Sequence, residues 1–332
     1  MGYVIAGAAT LFVLLCIAMA SFAVSGRRQT FEEAMKWQSD RYDTSFYGDS
    51  EKEDYTVEGD EGYLLHVQLL KAPSGSGRYV IITHGITDNR AGALKYARFY
   101  RDLGYNCIIY DLRGHGENER TYTTYGKKEG KDLALLIGDT RKRYSDLTVL
   151  GIHGESLGAA TTVMSLRYHP SVDFAVADCG YSDIENVLRN ILKRMKLPGF
   201  LAVMQDLGLR IRYGCSFRDM RPVDALADSD VPIMFIHGED DSLIPAGNSQ
   251  AMYDAAKGYK EIHIIPGAEH AVSAIVAPEL YDQYLRSFLD RVLESRSFRR
   301  NTAAQWKSMR HLQYNLDTGS MIYDIKENTG CR

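Results

Sequence analysis

Ser156 stands in Gly154-Glu155-Ser156-Leu157-Gly158, a G-x-S-x-G pattern closing a run rich in β-branched and apolar residues. A helix-compatible stretch, Ala159 to Tyr168, follows at once. Strand, sharp turn and helix are the context in which this pattern exposes a nucleophile. Gly154 and Gly158 lack Cβ atoms, so neighbouring backbone can pass close to the turn. The new helix points its unpaired N–H groups and positive dipole end at the serine, and the Leu157 amide can face a developing oxyanion. A serine hydroxyl is a weak nucleophile at neutral pH. It needs a base, and the base needs a third group to orient it.

Both partners are expected C-terminal to the serine, at strand ends, acid before histidine. The acid falls in Val231-Pro-Ile-Met-Phe-Ile-His-Gly-Glu-Asp-Asp-Ser-Leu-Ile-Pro245, where an apolar strand runs into an acidic loop. Glu239, Asp240 and Asp241 compete. Asp241 is preferred because Ser242-Leu243-Ile244-Pro245 behind it can fix the loop. His270, after the last strand in Pro266-Gly267-Ala268-Glu269-His270, is the best placed of the nine histidines as base. A second oxyanion amide should come from the loop after Tyr79–Thr83, where His84-Gly85 allows a tight turn and turns the Ile86 N–H inward.

These groups need a rigid frame, and the pattern supplies one. Strands are expected at Tyr79–Thr83, Asn106–Asp111, Thr148–His153, Phe174–Asp178, Pro232–His237 and Glu261–Ile265. Helices are expected at Gly92–Leu103, Lys128–Arg143, Leu157–Tyr168, Ser249–Lys257 and Pro278–Arg296. Near-continuous apolar strands alternating with amphipathic helices argue an α/β domain with a mostly parallel sheet covered on both faces. Tyr55 to Leu70 reads as an antiparallel hairpin turning at Glu58–Gly62, and residues 27–54 as a linker with some helix. Residues 182–230 break the alternation with apolar residues at three- and four-residue steps, which reads as an inserted helical lid. From Arg189 to Arg221, eight basic residues stand against two acidic ones, so the lid is a candidate for anionic lipid surfaces. Residues 297–332 form a polar C-terminal extension, in which Leu312 to Ile325 can close as a hairpin around Asp317-Thr318-Gly319.

At 332 residues, 45% hydrophobic and 25% charged, the chain suits one large α/β domain with attachments. A net charge of -4 gives nothing global that would attract nucleic acid. The five scattered cysteines show no metal or disulfide spacing. Tyr3 to Val24 has no charged residue. As a helix it spans about 33 Å, against a hydrocarbon core of about 30 Å. Residues 1–26 therefore read as a transmembrane anchor, with a cleaved secretory signal, and hence a secreted protein, as the alternative. The Arg27-Arg28 pair behind it is a weak pointer to a cytoplasmic catalytic domain.

Together the motifs resemble an α/β-hydrolase fold enzyme, and are similar to the serine-aminopeptidase-like branch of bacterial esterases and lipases. The matching pieces are His84-Gly85, Asp111-Leu-Arg-Gly-His-Gly116, Tyr125-Gly126 with Glu129 and Asp132, Gly154–Gly158, His237–Asp241 with Ile244-Pro245, and Gly267–His270. The likeness covers roughly residues 55–296. It implies Ser156 as nucleophile, Asp241 as acid, His270 as base, and Ile86 and Leu157 as oxyanion amides. It also implies acyl transfer to water on a small-molecule acyl ester, without metal or organic cofactor. Aminopeptidase and thioesterase activities use the same triad, and a non-catalytic binding protein could keep the fold.

Overall fold

Apolar runs that lack a polar face can only be strands covered on both sides, and five of the six predicted runs are buried along nearly their whole length. The computed structural model describes residues 1–26, 28–309, 312–315 and 320–323, with side-chain surroundings as far as Ser295. The chain starts with α1 (Gly2–Val24), α2 (Phe31–Ser39) and α3 (Ser45–Asp49). Strands β1 (Lys52–Glu58) and β2 (Leu64–Leu70) form the expected hairpin. Next come β3 (Arg78–Thr83), α4 (Leu94–Asp102), β4 (Asn106–Tyr110), α5 (Lys127–Arg143), β5 (Val149–Glu155), α6 (Leu157–Ser165) and β6 (Phe174–Asp178). Helices α7 (Ile184–Arg194) and α8 (Phe200–Tyr213) interrupt the alternation. It resumes with β7 (Ile233–Gly238), α9 (Gly247–Ala255), β8 (Lys260–Ile265), the short α10 (Ser273–Val276) and α11 (Pro278–Met309).

Among the described residues, eight strands form one sheet in the order β1-β2-β4-β3-β5-β6-β7-β8. Every pairing from β4 to β8 is parallel; β1 and β2 pair antiparallel at one edge. The fold is thus α/β with a mostly parallel sheet flanked by helices, as the pattern predicts. β8 is only partly buried because it closes the sheet with a single neighbour. The serine strand β5 lies at the centre, between β3 and β6. Their C-terminal ends share one rim, and the acid and histidine loops leave β7 and β8 on the same rim.

The contacts separate two compact units, Met1–Tyr284 and Leu285–Arg332. In the second, α11 runs on past the predicted end at Arg296, and β9 (Leu312–Asn315) pairs antiparallel with β10 (Ser320–Tyr323). The predicted turn, Asp317-Thr318-Gly319, lies outside the described residues, as does Arg27 of the basic pair behind α1.

Within the predicted linker 27–54, the described residues 28–54 carry more order than that reading implies. A Thr30–Glu33 capping box starts α2, and Lys52 to Asp54 already belong to β1.

α1 is long and apolar enough to cross a membrane, a property that an anchor and a signal sequence share. Gly2 to Phe12 are all exposed, whereas Cys16 and Ala20 are buried against α8, and Val24 at the end of α1 is buried too. Gly208 lets the two helices approach, since a Cβ there would strike the Cys16 carbonyl. The C-terminal end of α1 is also hydrogen-bonded to the body of the protein. The Thr123 amide donates to the Val24 carbonyl at 3.0 Å, and the Tyr125 hydroxyl to that of Ala23 at 2.6 Å. These are carbonyls that a helix end leaves without intrahelical donors.

The charge count of the inserted segment changes once the chain is folded. Arg189 pairs with Glu185, Arg210 with Asp206, and Arg221 with Asp183 and Asp224. Three of those acids lie outside or at the margin of the basic stretch, so its bare excess overstates the field it presents.

Candidate active site

β5 ends in a turn that only a tightly held backbone sustains. Ser156 has φ 54° and ψ −113°, a region that non-glycine residues rarely enter. The Ser156 amide donates to the Asp178 carbonyl at 2.9 Å, so the end of β6 holds the turn. α6 starts at the next residue and leaves the Leu157 amide without an intrahelical acceptor. A Cβ on Gly158 would run into the carbonyl oxygens of Thr83 and His84. That bare contact sets the N-terminus of α6 against the loop carrying Ile86.

The acid loop behaves as a fixed arm. Asp241 is buried, whereas Glu239 and Asp240 are exposed. Its Oδ1 accepts from the amides of Leu243 at 3.0 Å and Ile244 at 2.8 Å. Its Oδ2 faces His270 Nδ1 at 2.6 Å and His237 Nε2 at 3.2 Å. Burial alone would raise this carboxyl. The two imidazole hydrogen bonds, the His270 charge and the Ile244 amide outweigh it and hold Asp241 below the ordinary carboxylate range. An ionised Oδ2 can only accept, so Nδ1 of His270 carries the proton. That leaves the Nε2 lone pair facing Ser156 Oγ at 2.9 Å. The structure therefore brings Ser156, His270 and Asp241 into one line of hydrogen bonds. The loop carrying Ile86 passes beside the same turn, where a Cβ on Gly85 would stand 3.6 Å from Ser156 Cβ, and Leu157 follows the serine at the start of α6.

His237 has a role the sequence reading did not assign. Its Nδ1 pairs with Ser249 at 2.7 Å, and its Nε2 sits 2.6 Å from the Ile244 carbonyl. It ties α9 to the acid loop. His84 does similar work beside Ile86. Its Nε2 accepts from the Leu112 amide at 2.9 Å and its Nδ1 donates to the Gly85 carbonyl at 2.7 Å. Burial pushes its pKa down to about 4, so it stays neutral. Asp111, Glu129 and Asp132 are structural. Asp111 accepts from the Arg90 side chain and amide, Glu129 accepts from Thr124 and Gly126, and Asp132 holds Arg113 bidentately.

Two residues missing from the sequence reading underlie the site. Lys95, 2% exposed on α4, makes an ion pair with Glu155 and donates to the Ala271 carbonyl at 3.1 Å. It thus joins the residue before the serine to the residue after the histidine. Burial works against the ammonium, but the Glu155 charge outweighs it and the lysine pKa stays raised. Tyr96 offers one proton to Glu155 Oε2 at 2.6 Å and Asp178 Oδ2 at 3.0 Å. Burial and the Glu155 charge lift Asp178 to about 6. Lys95→Met should leave Glu155 without its countercharge and held only by the Tyr96 hydroxyl, costing about 3–5 kcal/mol in thermal unfolding. Adding Glu155→Gln should restore most of that loss; no recovery in the double variant would show that the pair is not what Lys95 contributes.

Two cavities open beside His270. One, about 180 Å³, is lined by Trp37, Ile86, Asp88, Lys95 and Glu155 among others. The other, about 360 Å³, includes Ile191, Met195, Ser242 and Leu243. Cys179 Sγ lies within 4.8 Å of ligand atoms on Asp241 and His270. Burial holds that thiol protonated, and its two neighbours are engaged with each other, so the trio is poorly suited to a metal.

Comparison with known proteins agrees with this architecture. The chain is 31% identical over 278 residues to the Bacillus subtilis (strain 168) protein YqkD, spanning 81% of this chain and 90% of that one. It is 23% identical over 195 residues to the Saccharomyces cerevisiae membrane protein YNL320W, spanning 58% and 63%. In structure it is similar to the Pyrococcus furiosus esterase Pf2001, with a TM-score of 0.62 and 24% identity, covering 73% of this chain and 92% of that one. Residues 93–296 match the model of the prolyl oligopeptidase family. The chain belongs to the prolyl oligopeptidase family and has the α/β-hydrolase fold that its motifs resemble.

Proposed function

We propose that the protein is a membrane-anchored serine hydrolase that cleaves carboxylic esters of acyl chains. The observation that carries this reading is the hydrogen-bonded line from Asp241 through His270 to Ser156, 2.6 Å and 2.9 Å. Ser156 Oγ attacks the ester carbonyl while Nε2 of His270 takes its proton. The tetrahedral oxyanion is met by the Ile86 and Leu157 amides. It collapses with loss of the alcohol, which receives the proton from His270. Water then attacks the acyl-enzyme with His270 again as base, releasing the acid and free Ser156. Asp241 keeps the imidazole in the required tautomer and stabilises its charged form. Each step uses side chains and amides of this chain and requires no cofactor.

The docking of α1 on α8 and its hydrogen-bonded end favour a retained anchor over a cleaved signal. The name of the yeast relative points the same way. The inserted residues 182–230 then stand as a lid beside His270. The family name favours peptide cleavage as a second reading. A fluorophosphonate probe should label wild type at Ser156. A panel of p-nitrophenyl esters, acyl thioesters and aminoacyl anilides should rank esters first. Faster anilide cleavage would move the assignment to a peptidase, and absence of labelling would end it.

A further inference from the structure

A third cavity, about 800 Å³, lies between α1 and the inserted helices. That size is within the range of about 300–1,000 Å³ common for ligand sites. Ala18, Met19 and Phe22 of α1 face Leu188, Ile191 and Leu201 of α7 and α8 across it. Apart from Ser25, Gln205 and Tyr125, the side chains lining it are apolar. The Tyr125 hydroxyl is already committed to the Ala23 carbonyl. Ile191 and Met195 belong both to this cavity and to the smaller one that reaches His270. Met195 can change rotamer at little cost, which suits a passage that must adapt to its contents.

The surroundings name the solvent at the mouth. Phe22 is 86% exposed, Phe200 60% and Val203 59%, and Leu207 and Ile211 are exposed beside them. Phe200, Val203, Leu207 and Ile211 lie three, four and four residues apart and so share one face of α8, and an exposed apolar face of this kind meets something other than water. Gly2 to Phe12 extends α1 by about 16 Å beyond the part that packs on α8. A helix set across a bilayer in this way carries α8, and the cavity beside it, to the depth of acyl chains.

We infer that α1 is a wall of the substrate site as well as a tether. An acyl chain of a membrane lipid ester enters sideways from the bilayer, lies between α1 and α7–α8, and brings its carbonyl past Ile191 and Met195 to Ser156. The inference rests on the hydrolase reading and narrows its substrate to long-chain esters drawn from a membrane.

The test uses the full chain in phosphatidylcholine nanodiscs. Ala18→Trp fills the cavity from the α1 side and Met195→Trp from the α7 side; Leu14→Trp alters the exposed face of α1 and is the control. The ratio of kcat/KM for p-nitrophenyl dodecanoate to that for the butyrate should fall about tenfold or more in both filling variants and hold in the control. Equilibrium binding of cis-parinaric acid, displaced by lauric acid, should weaken by about the same factor. The binding arm needs no turnover, so it reads the cavity even if the hydrolase assignment fails. Unchanged binding in both filling variants overturns the inference. Binding lost as expected, in a wild type that cleaves neither ester, overturns only the hydrolase reading.

Discussion

Ser156→Ala should lower kcat by about 10⁶ while leaving the fold unchanged. The magnitude follows from geometry. The Ser156 hydroxyl is the group that meets Nε2 of His270, so without it the base has no proton to take from a nucleophile. Alanine occupies less space than serine. It keeps the backbone bond from the Ser156 amide to the Asp178 carbonyl. His270→Ala should cost nearly as much, and the two losses should not add, because both residues serve one proton transfer. Steady-state rates on a short p-nitrophenyl ester, with thermal unfolding as control, check this. A residual rate above about a tenth of wild type would place the nucleophile elsewhere.

Asp241→Asn should cost about 10⁴ in kcat. The Leu243 and Ile244 amides donate to one oxygen of this side chain and would hold the asparagine carbonyl there. Its NH₂ would then face Nδ1 of His270. The imidazole would move its proton to Nε2 and present a donor to Ser156. A reversal of tautomer, more than a missing charge, produces the loss. In wild type the carboxyl is held below its ordinary range, so it stays ionised wherever an imidazole titrates. The acid limb of the rate profile should therefore not report titration of Asp241. Stability follows the same linkage. A depressed folded pKa contributes stability that is complete above the unfolded value of about 4 and fades as pH falls through the folded one. The stability gap between wild type and Asp241→Asn should thus be constant near neutrality and shrink in acid. Urea unfolding at several pH values measures it, and a gap that widens in acid would contradict the depressed pKa.

Much of the site was legible because its parts are local. Ser156, Asp241 and His270 each follow an apolar strand, and each loop carries its own turn residues. Parallel strands bring such loops to one rim without further instruction. The choice of Asp241 over its neighbours also had a local signal, since the two amides that hold it lie two and three residues on. The Lys95–Glu155 pair had none, because its halves are sixty residues apart and each reads as an ordinary surface charge. The pairing within the basic stretch was hidden for the same reason, since the partners Asp183, Glu185 and Asp224 all stand outside it. Hydropathy gave the length of α1 but no hint that Gly208 is shaped to receive Cys16.

Thr123 and Tyr125 seize the last turn of α1, and this leaves no slack between that helix and the α/β body. An enzyme on a loose leash can swing through a wide arc and sample targets on facing surfaces. One clamped at the hinge cannot. On the proposed reading, a bilayer that holds α1 dictates the tilt and elevation of the catalytic rim and confines its reach to the layer in which the helix stands.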